Sequence, residues 1–424
     1  MAFYEEHKES EHFDGRELAA RLEPVFREIG CRRLPRKGEA QKIIVLRDDA
    51  AGDFILSSAF QRELRRVYPK AHITLMVSAR NYDFAQCCPH IDNIIVNNTL
   101  RSGKNFWQAF KDLAEFAVSE LLPYHFALGF SGRLGIRSLS VLLLYMSGTA
   151  FRVAYTQDRP AGQGRIARIG WDDMISLPLP LLNEVCSDVD RDLFLLEGLL
   201  KLPIADRSLE VWTMASDREA AEQAVAPLRA EAGVKRLYAV MTETSQAFRE
   251  WPLERFEEFF RWLLAEEEDV GLVFLGGPEK RARTEELAAK FPRRAICLAG
   301  QLSFRESTEV IGLCEKYIGD DTGLAHAAAA KRVPILDIFP FPASLGLMPM
   351  SCPVRFQPYG VPAVAVIPPE VAEGGDKCHL LNGTGCGAGE AHCILGVTVE
   401  KFKAAYRLLD GYIKEGRCSA VIMK

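Results

Sequence analysis

The sequence predicts an α/β protein built from parallel, doubly wound sheets, and three observations support this fold class. Apolar runs of strand length alternate with amphipathic helical patterns through most of the chain. The chain has 424 residues, which is too long for one ordinary hydrophobic core and suits two domains. Two polar, glycine-containing turns stand where an apolar strand meets a helix, and open α/β sheets bind ligands at such positions.

The first half of the chain contains four predicted strands. They are residues 42–47, 72–77, 91–96 and 125–129. Their apolar, β-branched composition is typical of strands buried in a parallel sheet. After the first strand, a helical pattern carries five apolar side chains on one face, so we expect this helix to pack on the sheet: Ile55, Ala59, Phe60, Leu64 and Val67.

The second half repeats this alternation. Its predicted strands are residues 236–241, 270–275, 295–298, 316–318 and 334–338, and its clearest helices are 253–265 and 280–291. We therefore expect a helical appendage over 1–40, an N-terminal Rossmann-like domain over 41–210 and a C-terminal Rossmann-like domain over 211–398. The apolar stripe of a last helix, within 399–424, predicts that this helix packs back on the N-terminal domain.

Composition excludes several classes of protein. Hydrophobic residues make up 48% of the chain and charged residues 26%, as in soluble globular proteins, and the net charge of −5 argues against nucleic-acid binding. No apolar run reaches the roughly 18–20 residues of a membrane span. Because the amino terminus is acidic and polar, we expect a cytoplasmic protein, which could touch the inner face of the cytoplasmic membrane. The oligomeric state is left open.

Eleven cysteines with scattered spacing indicate reduced thiols. Four of them lie in a glycine-rich segment: Cys352, Cys378, Cys386 and Cys393. Their spacing matches no short Cys-x-x-Cys hook, so we expect no metal, although a bound metal stays an alternative at this segment.

The turn after the strand at 316–318 contains the most informative residues. Asp321 or Thr322 can cap the helix that follows, and Gly323 lets a ligand approach the backbone. The free N–H groups of the first helical turn would face a bound anion. The alternative is an ordinary helix cap without a ligand.

A similar turn follows the strand at 42–47 and places Gly52 and Asp53 at the start of a helix. Asp48, Asp49 and Asp53 put three carboxylates in one turn, which would raise the pKa of some of them. The alternative is an aspartate that only stabilises the helix dipole.

With both turns in place, the chain resembles the ADP-heptose:lipopolysaccharide heptosyltransferases, the family 9 glycosyltransferases of GT-B fold. The matching motifs occur in the right order and span about residues 42–410: Gly52-Asp53, Arg249-x-Trp251-Pro252, Gly276-Gly-x-Glu279 and Asp321-Thr-Gly-Leu-x-His326. The resemblance implies two Rossmann-like domains that face a central cleft. It also implies a nucleotide-sugar donor on the C-terminal domain and a saccharide or lipid-linked saccharide acceptor on the N-terminal one.

The resemblance assigns the two catalytic roles. Asp53 matches the family's catalytic aspartate, a general base that deprotonates the acceptor hydroxyl. Arg249 stands where the family usually has Lys, and it would neutralise the departing diphosphate with two-pronged contacts. A solvated arginine at a helix start is the alternative for Arg249.

Donor binding is assigned to residues of the C-terminal domain. Thr242, Thr244 and Ser245 follow a strand end and can donate hydrogen bonds to phosphate. Glu279 matches an acid that contacts the nucleoside, or it only stabilises a first helical turn.

The diphosphate-binding loop of the family corresponds to four residues here: Asp321, Thr322, Gly323 and Leu324. His326 lies one helical turn further on. For His326 we favour a buried structural hydrogen bond over contact with the sugar-phosphate.

Acceptor binding is assigned to Arg133 and Arg137, which stand four residues apart at a predicted helix start. Such a pair suits a phosphorylated or carboxylated acceptor, such as the inner-core sugars of lipopolysaccharide. A solvated basic face is the alternative.

These assignments predict an inverting glycosyltransferase that moves a heptose-like sugar from a nucleotide-diphosphate sugar, with ADP-heptose the expected donor. Basic side chains would take the place of a metal ion, and no cofactor is expected. A non-catalytic homologue that only binds a nucleotide sugar is the alternative. A nicotinamide dehydrogenase is disfavoured, because no Gly-x-Gly-x-x-Gly follows the first strand.

Overall fold

The computed structural model describes residues 20, 42–99, 106–132, 140–156, 171–180, 187–201, 203–204, 206–341, 353–369, 380–381, 385–386 and 393–423. The chain divides into two compact units. One unit comprises Met1–Asn183 and Val189–Arg207, and the other comprises Glu184–Asp188 and Ser208–Lys424. The first unit ends at Arg207, three residues before the boundary at 210 that the sequence suggested.

Within the described residues, the first unit is built on a six-stranded parallel sheet of order β3-β2-β1-β4-β5-β6. Its strands are β1 (Lys42–Arg47), β2 (His72–Val77), β3 (Asn93–Val96), β4 (Leu128–Ser131), β5 (Phe151–Tyr155) and β6 (Leu177–Leu179). The predicted bounds of β1 and β2 are confirmed, whereas β4 begins three residues later than expected. His125 adopts a left-handed conformation with φ 52°, which turns the chain before the strand can start.

Five helices of six or more residues accompany this sheet in the described part of the chain. They are α1 (Ala51–Leu56), α2 (Ser58–Val67), α3 (Phe106–Phe116), α4 (Ser140–Met146) and α5 (Asp188–Leu200). The predicted apolar face of the helix after β1 is confirmed, since each of its five side chains is at most 2% exposed. Helix α3 continues into a π-helical turn, Ala117–Leu121, and α3 and α4 cover the sheet face of Ile44 and Leu46.

The second unit contains a seven-stranded parallel sheet of order β15-β12-β11-β10-β7-β8-β9 among its described residues. Its strands are β7 (Arg236–Met241), β8 (Val270–Leu275), β9 (Ala295–Cys297), β10 (Lys316–Asp320), β11 (Ile335–Ile338), β12 (Ala363–Val366) and β15 (Ala420–Met423). Strands β13 (Leu380–Leu381) and β14 (Gly385–Cys386) form a separate antiparallel pair. The predicted α/β class with two parallel sheets is therefore confirmed.

Six longer helices are described in the second unit: α6 (Ala215–Arg229), α7 (Leu253–Glu266), α8 (Arg281–Ala289), α9 (Phe304–Gly312), α10 (Gly323–Ala330) and α11 (Val399–Lys414). On one sheet face, α7 and α11 bury an aromatic cluster in which the ring centroids of Phe259 and Phe402 are 4.6 Å apart. Helix α10 packs with α9 against the other face. Its Ala-rich sequence permits this close approach.

The expectation that the last helix packs on the N-terminal domain is wrong. Helix α11 contributes Phe402, Tyr406 and Leu409 to the core of the second unit, and the chain then adds β15 to the sheet edge beside β12. An apolar stripe shows that a helix must bury one face, but it does not show which partner surface covers that face. The order of strands in the second sheet decides which surface covers the apolar face of α11.

Both polar turns follow strands at positions where the sheet reverses its direction of growth. In the first sheet the order reverses between β1 and β4, and Asp48–Asp53 follow β1. In the second sheet it reverses between β7 and β10, with Thr242 after β7 and Asp321 after β10. Connections leave such a point toward opposite sides and open a crevice at the carboxyl ends of the strands.

No helix in the described ranges is long and apolar enough to cross a membrane.

Replacing Phe402 with Ala is expected to destabilise the second unit by about 3–5 kcal/mol, because a fully buried aromatic ring leaves a cavity. Urea unfolding followed by tryptophan fluorescence measures the change, since Trp251 contacts this ring. Lys414→Ala, at an exposed position of the same helix, is the control and should change stability little. Equal effects of the two substitutions would contradict the packing of α11 described above.

Candidate active site

The turn between β10 and α10 is held by its neighbours in the sheet. The Asp321 amide donates to the Ile338 carbonyl at 3.0 Å, which continues the β10–β11 ladder past the strand end. The hydroxyl oxygens of Tyr317 and Thr322 are 3.0 Å apart. Thr322 has extended backbone angles at the N-cap position of α10, so the first N–H groups of this helix lie directly after it. The predicted junction of strand, turn and helix is present.

Arg249 contacts this turn directly. Its Nη2 donates to both the carbonyl oxygen and the Oδ2 of Asp321, each at 2.8 Å, and the Arg249 side chain is 18% exposed. Both contacts use Nη2. The other terminal nitrogen, Nη1, is not needed to anchor the guanidinium among the described residues. Two motifs that are 72 positions apart in the sequence thus form one site.

Trp251 fixes the segment that carries Arg249. Its indole is 1% exposed, packs edge-on against Phe256 at 4.8 Å and donates from Nε1 to the Val397 carbonyl at 2.8 Å. Its backbone N–H donates to Asp320 Oδ1 at 3.2 Å. A large buried anchor therefore ties the backbone next to Arg249 to the end of β10.

The turn after β7 holds the predicted phosphate donors. Thr244 Oγ1 donates to the Gln246 carbonyl at 2.7 Å, so this hydroxyl shapes its own turn, while Ser245 is exposed. The Thr242 hydroxyl is buried and has no hydrogen-bond partner within the described part of the chain. The buried Thr242 hydroxyl is thus available to a ligand.

Glu250 was not singled out by the sequence, although it lies inside the Arg249-x-Trp251 motif. Its buried carboxylate accepts from the Thr244 amide at 3.0 Å and from Lys280 and Arg283. Lys280 also donates to the Thr244 carbonyl at 3.0 Å. This carboxylate therefore connects the turn after β7 to the segment that follows Glu279.

The glycine pair after β8 makes room for two carboxylates. A Cβ at Gly277 would lie 2.4 Å from Glu279 Oε2, and one at Gly276 would lie 2.8 Å from Glu243 Oε2. The predicted nucleoside-contacting residue, Glu279, is exposed and lies in the short 3₁₀ helix Pro278–Lys280. Its carboxylate is accessible, as contact with a ribose or base would require.

Asp53 lies in the first turn of α1 in the first unit and is half-buried. The Ala50 amide donates to Asp53 Oδ2 at 3.3 Å, which is the helix-stabilising contact named above as the alternative role. Arg47 Nη2 donates to the Asp53 carbonyl at 2.9 Å. The turn around Asp53 is thus held in place by the last residue of β1.

Several buried ionisable groups surround the turn after β10. Burial raises the pKa of Asp320 and of Asp337 well above the usual value for aspartate, and nearby Asp321 adds to the effect in both cases. Neither carboxylate oxygen of Asp337 has a partner in the part of the chain that the structure describes. We therefore expect Asp337 to carry a proton at neutral pH.

Burial lowers the pKa of His326, so its imidazole is neutral. The sequence favoured a buried structural hydrogen bond for this residue. The ring is 4% exposed and packs near Phe356, with 6.4 Å between ring centroids, but its Nδ1 finds no partner among the described residues. Nδ1 is therefore left for a ligand or water.

Some predicted residues lie outside the described residues. They are Arg133, Arg137, Cys352, Cys378, the side chain of Cys386 and the appendage at 1–40 apart from residue 20.

Residues 161–366 match the family model for glycosyltransferase family 9 (heptosyltransferase). The chain carries a glycosyltransferase family 9 domain. The resemblance drawn from the four motifs is confirmed.

Solved structures of family 9 proteins share the fold. A glycosyl transferase family 9 protein from Veillonella parvula superposes with a TM-score of 0.66 at 16% identity, over 88% of this chain and 98% of its own. E. coli ADP-heptose lps heptosyltransferase II gives a TM-score of 0.60 at 15% identity, over 89% and 100% of the two chains.

A third solved structure, E. coli heptosyltransferase WaaC with ADP-2-deoxy-2-fluoro heptose, gives a TM-score of 0.59 at 13% identity, over 89% of this chain and 100% of its own. In sequence, a Haemophilus influenzae protein provisionally named a glycosyltransferase is 21% identical over 310 residues, which are 71% of this chain and 82% of the relative. The chain thus matches these proteins along most of its length.

Asp337→Asn should make the protein more stable at pH 8 and leave it nearly unchanged at pH 4. The folded state keeps the proton on Asp337 at pH values where the unfolded chain has released it. The free energy of unfolding of the wild type therefore falls as the pH rises above about 3.9. Asn cannot ionise, so it removes this loss. Urea unfolding at both pH values measures the difference.

Asp269→Asn is the control. Its hydrogen bond and attraction to Arg236 lower the pKa of Asp269, so this substitution should cost stability at pH 8 and still cost most of it at pH 4, because the folded state releases the proton of Asp269 below about pH 3.9. A gain for Asp337→Asn that is the same at both pH values would contradict a buried, protonated carboxyl.

Proposed function

We propose that this protein is an inverting glycosyltransferase that moves a heptose-like sugar from a nucleotide-diphosphate sugar, with ADP-heptose the preferred donor. The acceptor is a saccharide of the lipopolysaccharide core or another saccharide of the cell envelope. One observation supports this function above the others. The Arg249 guanidinium is anchored at the start of α10, and the buried Thr242 hydroxyl, which has no hydrogen bond among the described residues, follows the neighbouring strand.

The second unit has the groups that a sugar diphosphate needs. Arg249 supplies a positive charge, and the first N–H groups of α10 after Thr322 supply donors that need no side chain. Leu324 and Gly323 begin this helix. Asp321 is already paired with Arg249, so we assign it to orienting the guanidinium or a sugar hydroxyl and not to facing the diphosphate.

The other donor residues take roles at the edges of this site. Thr242 donates to a phosphate oxygen, while Thr244 and Ser245 contribute through their turn. Glu279 accepts from the nucleoside. His326 is neutral, and its Nδ1 can accept from a sugar hydroxyl or, as the other tautomer, donate to a phosphate oxygen.

In the proposed reaction, Asp53 accepts the proton of the acceptor hydroxyl while the hydroxyl oxygen attacks the anomeric carbon. The bond between that carbon and the phosphate oxygen breaks, and the nucleoside diphosphate leaves with the electron pair. Arg249 and the α10 N–H groups stabilise the negative charge that grows on the leaving oxygen. The attack inverts the anomeric configuration. These groups take the part that a metal ion plays in other sugar transferases.

Arg133 and Arg137 remain our proposal for binding an anionic acceptor, and a lipid-linked acceptor would bring the protein to the inner face of the cytoplasmic membrane. A thermal-shift screen of ADP-, UDP-, GDP- and CDP-sugars tests the donor assignment. Stabilisation by ADP-heptose together with transfer to a heptose-deficient core acceptor is expected. Stabilisation without turnover in any acceptor mixture would instead support a non-catalytic binding protein.

Asp53→Asn is expected to lower kcat at least about a hundredfold, because a neutral amide cannot accept the proton. Donor affinity should stay near the wild-type value, since the donor site is proposed in the other unit. Transfer of labelled sugar and donor titration calorimetry measure the two effects. Asp83→Asn, in another short helix of the same unit, is the control. Full activity of Asp53→Asn would remove the base assignment.

Arg249→Ala is expected to lower kcat/KM by about 10²–10³, the usual effect of deleting one group that stabilises charge in the transition state. Arg249→Lys should recover part of the loss, because a point charge remains but the planar guanidinium, which can contact Asp321 and a phosphate through different nitrogens, does not. Steady-state kinetics with the preferred donor measure both variants. Arg261→Ala, on the exposed surface of α7, is the control. A lysine variant no better than the alanine variant would argue against a charge-based role.

A further inference from the structure

We propose that Arg47 is a positioning residue for the transfer reaction: it holds the turn that carries Asp53 and supplies the positive charge that keeps the Asp53 carboxylate ready to accept a proton. This inference rests on the proposed function, because Asp53 is its base. Nothing in the sequence patterns pointed to Arg47, which ends a strand whose four inner residues are apolar.

The contacts of Arg47 join three parts of the first unit. Nη1 donates to Asp192 Oδ1 of α5 at 2.8 Å, and Nη2 donates to the Asp53 carbonyl at 2.9 Å. Nη2 also lies 3.3 Å from Asp49 Oδ2. One guanidinium at the end of β1 thus connects the polar turn, the first turn of α1 and helix α5.

The surrounding backbone is shaped for this ion pair. A Cβ at Gly132, just after β4, would lie 2.5 Å from Asp192 Oδ1 and 3.1 Å from Arg47 Nη1. Arg47 is 6% exposed and Asp192 is 5% exposed, so both charges are buried. Burying two charges costs free energy that their mutual attraction often does not recover, which favours a role beyond stability.

The planar shape of the guanidinium matters for this arrangement. Two terminal nitrogens point in fixed, different directions, so Arg47 can bind Asp192 and the Asp53 carbonyl at once. The ammonium group of lysine could pair with one partner but could not span both in the same geometry. The charge function and the positioning function can therefore be separated by substitution.

Attraction to the carboxylates dominates the electrostatics of Arg47. Burial alone would lower the pKa of the guanidinium, but attraction to Asp192, Asp49 and Asp53 outweighs burial and raises the pKa. The same attraction favours the charged form of the Asp53 carboxylate. Without it, the acids of one short turn would repel one another.

Other charged groups near Asp53 do not replace Arg47. Charged groups on the turn and on neighbouring elements include Asp48 and Asp49 of the turn itself, Arg191 and Asp192 of α5, Arg80 of the 3₁₀ helix Ala79–Asn81, and Arg62 and Glu63 of α2. Arg80 is exposed, so water screens its charge, and Arg62 lies 3.6 Å from Glu63.

The decisive variant is the double substitution Arg47→Met with Asp192→Asn, which removes the buried pair together and leaves neither member as a lone buried charge. We expect the acidic limb of the kcat/KM profile to move up, but by less than the roughly one pH unit of an aspartate that only loses a neighbouring arginine, because loss of the Asp192 charge offsets part of the effect. Asp192→Asn alone should move it down or leave it in place, because Arg47 keeps its charge and loses a competing partner. An acidic limb that stays at the wild-type position in the double variant would overturn the inference.

Arg47→Lys separates charge from position. The acidic limb should remain near the wild-type pH, whereas kcat should fall about tenfold, because lysine cannot hold both partners. A lysine variant with the wild-type rate would overturn the positioning part of the inference. Circular dichroism and thermal unfolding check that each variant folds.

Arg65→Met is the matched control. Arg65 also pairs with one aspartate, Asp92, and donates to two carbonyls, those of Ala71 and His90. These partners precede β2 and β3, so Arg65 lies at the opposite edge of the parallel sheet from Arg47. Loss of Arg65 should reduce stability without moving the acidic limb. A shift equal to that of the double variant would mean that general loosening, and not Arg47, moves it.

A titration of the Asp53 carboxyl by ¹³C NMR makes the outcome independent of turnover. The Asp53→Asn variant identifies the resonance by its absence, and the titration midpoint should rise in the double variant and not in Arg65→Met. If Asp53→Asn stays fully active, the assignment of Asp53 as the base fails, and the inference about Arg47 fails with it. If Asp53→Asn is inactive and the midpoint does not move, the inference about Arg47 fails while the proposed function stands.

Discussion

The candidate site of the second unit depends on one buried anchor. Trp251 fills the core beneath the sheet, and its backbone N–H is bound to Asp320 at the end of β10. This contact places Arg249, which lies two residues before Trp251, beside Asp321. Because a ring of this size has one way to fit a packed core, the position of the guanidinium follows from packing and not from the flexibility of its own side chain.

The two units solve a similar problem in a similar way. Each has an arginine that is bound to an aspartate at the turn after a central strand: Arg47 with Asp49 in the first unit and Arg249 with Asp321 in the second. In both sheets this turn lies where the strand order reverses. A cation held by a carboxylate keeps its direction, which an exposed lysine or arginine does not, and a group that must meet a developing charge benefits from being fixed beforehand.

The second unit carries polar groups that its own fold does not satisfy. The Thr242 hydroxyl, the Nδ1 of His326 and both oxygens of Asp337 are buried without partners among the described residues. Such groups cost stability, and folded proteins contain few of them. Two of the three, Thr242 and His326, belong to motifs assigned to donor binding, so a bound donor could restore hydrogen bonds that the protein alone lacks. Asp337 has no such assignment and is explained by holding its proton.

The sequence by itself determined the fold class and the bounds of the longest central strands, because β1, β2, β7 and β8 are mostly apolar runs with a polar residue or turn at each end. Shorter or less regular strands were missed. One is β5, where Arg152 is tolerated because the Thr149 and Met174 carbonyls bind its guanidinium. Only the tertiary structure decided that α11 packs in the second unit, that Arg249 pairs with Asp321, and that Arg47 reaches Asp53 and Asp192. These are contacts between surfaces far apart in the chain, and local periodicity shows that a face must be buried without showing what will cover it.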